Sequence, residues 1–130
     1  MMVTSGFARV NGARLYFEVQ GSGPALVLLT DGPENTDSHF GALAESFQVL
    51  RYDMRGSGNS TSISQEPFSH TEDLLELMDH LSLARAVLGE VTPGATIAGE
   101  FAEEFPERVV AVRSVESLLP AIPESVRSTR

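Results

Sequence analysis

The stretch Ala25-Leu26-Val27-Leu28-Leu29 decides the fold. Apolar at every position, it has no face to offer water and reads as a strand covered on both sides, the kind found inside a parallel sheet. Gly21-Ser22-Gly23-Pro24, directly before it, is turn chemistry. Further upstream, Asn11-Gly12 separates Phe7–Val10 from the alternating Arg14-Leu15-Tyr16-Phe17-Glu18-Val19, the signature of a tight hairpin. Two antiparallel strands therefore open the chain.

Downstream, a helix over Ser38 to Phe47 leads into a second buried strand, Gln48 to Tyr52, and then into the loop Asp53-Met54-Arg55-Gly56-Ser57-Gly58-Asn59-Ser60. Ser69 and Glu72 have the offset of a capping box. Leu74, Leu77, Met78 and Leu81 follow at helical spacing and leave Glu72, Asp73, Glu76 and Asp79 toward water. Ala84–Leu88 is a short strand ending at Gly89. Gly94 to Phe105 is a helix with Ile97, Phe101 and Phe105 on one stripe, and its small residues Ala95, Ala98, Gly99 and Ala102 allow close approach to a sheet. Pro106 ends that helix, and Val109 to Val115 returns as the last strand. Alternating strands and helices imply right-handed crossovers and an α/β fold: a mostly parallel sheet, an N-terminal antiparallel hairpin and helices on both faces.

Composition narrows the function. The 130 residues carry 18 acidic and 9 basic side chains, a net charge of −9, which disfavours nucleic acid and anionic membrane surfaces as partners. With 42% hydrophobic residues the chain can build a core. The absence of cysteine removes disulfides, thiolate metal sites and thiol nucleophiles. Met1 to Val10 has no leader-like pattern and no apolar run approaches the ~20 residues of a membrane span, so the expected compartment is the cytoplasm. One domain is expected over residues 1–119, with a tail over 120–130 bearing Pro120 and Pro123.

Over residues 9 to 119 the order of segments resembles the N-terminal half of the α/β-hydrolase superfamily, of the esterase, epoxide hydrolase and proline iminopeptidase type. Asp53-Met54-Arg55-Gly56-Ser57-Gly58-Asn59-Ser60 matches the family's Asp-x-Arg-Gly-x-Gly-x-Ser loop at every fixed position, and Thr71-Glu72-Asp73-Leu74-Leu75 and Phe105-Pro106-Glu107-Arg108-Val109 look like its usual strings. The resemblance implies a structural loop in which Asp53, Arg55 and Ser60, with Gly56 and Gly58, hold one another and the turn. Asp53, at a strand's C-terminal end, could otherwise serve as a metal or catalytic carboxylate.

In this family a Gly-x-Ser-x-Gly elbow lifts a nucleophile above the sheet. The corresponding string here is Gly89-Glu90-Val91-Thr92-Pro93-Gly94, so Val91 stands where the nucleophile would be and Pro93 replaces a glycine. A β-branched side chain suits a left-handed backbone poorly, and a relaxed turn is expected. The oxyanion string appears as Thr30-Asp31-Gly32-Pro33-Glu34, whose carboxylates would oppose a developing oxyanion unless they point away. The family's acid and histidine follow strands later than the last one here; His39, His70 and His80 precede the elbow and are expected at the surface. The resemblance thus implies a triad that this chain does not assemble, and a binding or assembly role.

Two alternatives stay open at the elbow. Thr92 could be a nucleophile with Glu90, or a Glu90-held water, assisting hydrolysis of a small ester or amide, or Thr92 could cap the helix that begins near Pro93. Asp31, Glu34, Asp37 and His39 could converge on a hard cation or form a solvated loop with one side chain capping the next helix; the second reading is adopted, with no metal and no cofactor. Tyr16, Phe17, Phe40, Phe68 and Phe101 are assigned to packing. Val112-Arg113-Ser114-Val115-Glu116 alternates, as a half-exposed edge strand does, so Val109–Val115 is expected either to pair with a second copy or to lie under the tail from Leu118. A small-molecule ligand above the strand ends is compatible with this reading.

Overall fold

The computed structural model describes residues 3–30, 36–61, 67–91 and 96–119. Its strands are β1 (Val3–Val10), β2 (Ala13–Gln20), β3 (Ala25–Leu29), β4 (Gln48–Tyr52), β5 (Ala86–Glu90) and β6 (Val109–Ser114). Its helices are α1 (Asp37–Leu43), α2 (His70–His80) and α3 (Thr96–Glu104), with short 3-10 turns at Pro106–Arg108 and Val115–Leu118. The strands form one sheet in the order β1-β2-β4-β3-β5-β6. β1, β2 and β4 pair antiparallel, whereas β4, β3, β5 and β6 run parallel.

The hairpin forms where the sequence asks for it: Val10 pairs with Ala13, and Asn11 and Gly12 both adopt positive φ, 47° and 82°. Glycine at the second position avoids the steric cost that a side chain would meet there. β3 is covered on both faces. Val27 and Leu29 join the core beneath α2 and α3, while Leu26 and Leu28 join a second core beneath α1.

Several boundaries differ from the sequence expectation. α1 stops at Leu43 rather than Phe47 because its last turn shifts to i→i−3 bonds, Glu45 N–H to Ala42 O at 3.4 Å and Ser46 N–H to Leu43 O at 3.0 Å. β5 runs past Gly89 to Glu90, held by β3 and β6 on either side. Val115 leaves the last strand and turns inward, where it and Leu119 pack on the α1-side core. Residues 94 and 95 of the expected third helix, and the tail from 120, lie outside the described residues.

One correction carries energetic weight. Asp73 does not face water with Glu72, Glu76 and Asp79; it is 1% exposed and receives two hydrogen bonds from Arg55, itself 6% exposed. Arg55 Nε reaches Asp73 Oδ2 at 3.0 Å and Arg55 Nη2 reaches Oδ1 at 2.9 Å. Asn11 closes the network: its Nδ2 donates to Asp73 Oδ1 at 3.2 Å and its carbonyl accepts from Arg55 Nη2 at 3.1 Å. Loop, hairpin and α2 are thereby joined by one buried pair. Asp73→Ala would leave the Arg55 charge buried and unpaired, and is expected to cost about 3–5 kcal/mol in urea unfolding. Replacing both partners by leucine should cost less than the single change; a larger loss would contradict the pairing argument.

Candidate functional site

The chain leaves β3 for β4 on one side and, after α2, crosses to β5 on the other. Between the C-terminal ends of β3 and β5 the direction of winding reverses, and open α/β sheets place their ligand crevice at such a point. Glu90, the last residue of β5, pairs in register with Leu29 of β3 and Ser114 of β6. Val91 follows, and its N–H donates to Leu29 O at 2.8 Å. Its partly buried isopropyl group packs on the α1-side core. Among the described residues, the non-glycine positions with positive φ are Asn11 and Ser82, so Val91 has no left-handed backbone. Thr92, Pro93 and Gly94 lie outside the described residues, as do Asp31, Gly32, Pro33 and Glu34; of the oxyanion string, Thr30 is described and is partly buried.

The loop after β4 is internally tied. Asp53 Oδ2 accepts from Asn59 N–H at 2.9 Å, Ser60 Oγ donates to Asp53 O at 2.6 Å, and Ser60 Oγ accepts from Tyr16 N–H at 2.9 Å. Gly58 sits at φ 51°, where an added Cβ would collide with the Asp53 carboxylate. The loop differs from expectation at Arg55, which turns away from Asp53 and Ser60 to bind Asp73.

Beside this loop, a cleft of about 740 Å³ opens at the C-terminal ends of β3 and β4. Its charged wall was not legible as a unit in the sequence. Arg51 Nε and Nη2 hold Glu18 Oε1 at 2.8 and 2.7 Å, and Nη1 holds Asp37 Oδ1 at 2.7 Å and Thr36 Oγ1 at 3.0 Å. The guanidinium carbon lies 4.1 Å from the centre of the Phe40 ring. Burial alone would lower the Arg51 pKa, but the bonds to Asp37 and Glu18 outweigh it and the group is held above its ordinary value. Tyr16, expected only to pack, donates its phenol to Glu18 Oε2 at 2.6 Å, and this bond raises its pKa.

Asp37 is thus an ion-pair partner, and Thr36 occupies the α1 N-cap without a side-chain cap bond. Among the histidines, His80 is exposed as expected, with its ring edge toward Phe17. His39 and His70 are half-buried, and their Nδ1 atoms have no hydrogen-bond partner among the described residues. His70 and Met54 line both the larger cleft and a second one of about 510 Å³ near the start of α2 and α3.

Comparison with known proteins agrees with this geometry. The family model described as alpha/beta hydrolase fold matches residues 24–127. The chain belongs to that family. It is 35% identical over 121 residues to bifunctional epoxide hydrolase 2 of Sus scrofa, covering 86% of this chain and 22% of that protein. It is 29% identical over 126 residues to an uncharacterised hydrolase of Bacillus subtilis, covering 92% and 46%. An epoxide hydrolase structure from Vigna radiata superposes with a TM-score of 0.70 at 23% identity, over 85% of this chain and 39% of that one. The chain thus spans less than half the length of these relatives.

Tyr52, on the wall of the larger cleft, provides a test of the local electrostatics. Burial, with Asp73 nearby, raises its phenol pKa, and its hydroxyl has no partner among the described residues. A phenol with a raised folded-state pKa favours the fold below the unfolded value near 10 and loses that contribution as pH rises above it. Tyr52→Phe should therefore leave the urea midpoint at pH 7.5 unchanged or raised, and lessen the loss of stability between pH 9 and 11. An unchanged pH profile would contradict the placement of this hydroxyl.

Proposed function

We propose that this chain is an α/β-hydrolase-fold protein that binds a small molecule above its strand ends and carries out no covalent chemistry at the elbow position. The observation that carries this reading is Val91. It stands at the end of β5 beside β3, where the fold presents a nucleophile, and its side chain has no electron pair to offer a carbonyl or epoxide carbon. Its N–H is bonded to Leu29 O and its isopropyl group contributes to the core, so the residue works as packing. The expected result is no turnover of p-nitrophenyl acetate or styrene oxide above the buffer rate. Turnover that disappears in Thr92→Ala or Glu90→Ala would support the alternative hydrolytic reading; turnover unaffected by both would overturn the two readings together.

Assembly forms the second part of the proposal. β6 ends the sheet, and Val110 is 55% exposed on it. Leu118 and Leu119 pack on the α1-side core, and among the described residues no strand pairs with the outer edge of β6. A strand with an unpaired ladder is a template for another strand. The 130-residue chain is expected to run as a homodimer in light scattering, and Val110→Lys to shift it to monomer. A monomeric parent would refute the edge pairing.

A further inference from the structure

His70 lines both clefts and belongs neither to the loop after β4 nor to the ion pairs described above. It opens α2, its ring lies edge-on to Phe68 with centroids 5.1 Å apart, and it lines both cavities with Met54. Its Nδ1 is buried without a hydrogen-bond partner among the described residues. An imidazole so placed is not committed to one tautomer by a protein hydrogen bond, and Nε2 can carry the proton as a donor.

The surroundings define what it can meet. On the smaller cleft's side, Met54, Phe68 and Ile97 supply apolar wall. Among the described charged groups lining the clefts, Arg51 is held by Glu18 and Asp37, and Arg55 by Asp73, which leaves Asp53 and Glu100 without a facing cation in those ion pairs. An anion would meet carboxylates and would have to break an existing pair to find a cation. We infer that His70, on the lining that the two clefts share, is the ligand-contacting residue, donating a hydrogen bond to the carbonyl oxygen of a neutral molecule with an apolar body. This inference rests on the binding reading above.

The test is a titration of the 130-residue chain with 2-phenylacetamide, followed by NMR of the histidine imidazoles, with phenylacetate and benzylamine as controls. The expected result is a saturable shift of the His70 resonances with His39 and His80 unmoved, binding about tenfold weaker in His70→Phe, near-parental binding in His70→Gln, and no binding of phenylacetate. No binding of the amide, equal affinity in a folded His70→Phe, or preferential binding of phenylacetate or benzylamine would overturn the inference. The same tube separates the two readings: phenylacetate appearing from the amide would refute the non-catalytic assignment while leaving the His70 contact to be judged by its own shifts.

Discussion

The structure depends on β3 having no face to give to water. Leu26 and Leu28 require cover on one side and Val27 and Leu29 on the other. Each such side chain contributes roughly 1.5–3 kcal/mol when it leaves water, so neither face can be left open. The chain meets this demand with α1 on one layer and α2 and α3 on the other, and that requires crossing from one side of β3 to the other. The reversal of winding between β3 and β5 follows from covering one apolar strand twice.

Two polar devices then fix the rim of the sheet. The Arg55–Asp73 pair joins the loop after β4 to α2 and to the hairpin turn, and the Glu18–Arg51–Asp37 chain joins β2, β4 and the start of α1. Both lie near the C-terminal ends of the parallel strands. Glu18, Asp37, Arg51 and Arg55 line the larger cleft, whereas Val91, after β5, is partly buried against the α1-side core. The chain keeps the family's fold, and Val91, directly after β5, packs against the α1-side core.

Much of the fold was legible because its signals are local. Asn11-Gly12 specifies a turn whose strand pairing follows, Ala25–Leu29 specifies burial, and Ser69 caps α2 by accepting from Glu72 N–H at 3.3 Å. Asp73 departs from its polar neighbours for a physical reason: helical periodicity shows which residues point together but not that a guanidinium 18 positions upstream lies beside them. The cleft wall is nonlocal in the same way, with Glu18 and Arg51 33 positions apart. Glycine within a strand suggests an ending, whereas here two neighbouring strands hold Gly89 and Glu90 in line. The alignment of Val91 with the elbow position, by contrast, uses only the order of residues along the chain.

The central claim is that the position offered by this fold for a nucleophile is chemically silent. The most direct measurement is incubation of the 130-residue chain with a fluorophosphonate probe, followed by intact mass and peptide mapping. The account predicts the unmodified mass, with no labelled peptide spanning residues 86–104. A stoichiometric adduct on Thr92 or on any serine would contradict it, because the chain would then have built a nucleophile somewhere other than at Val91.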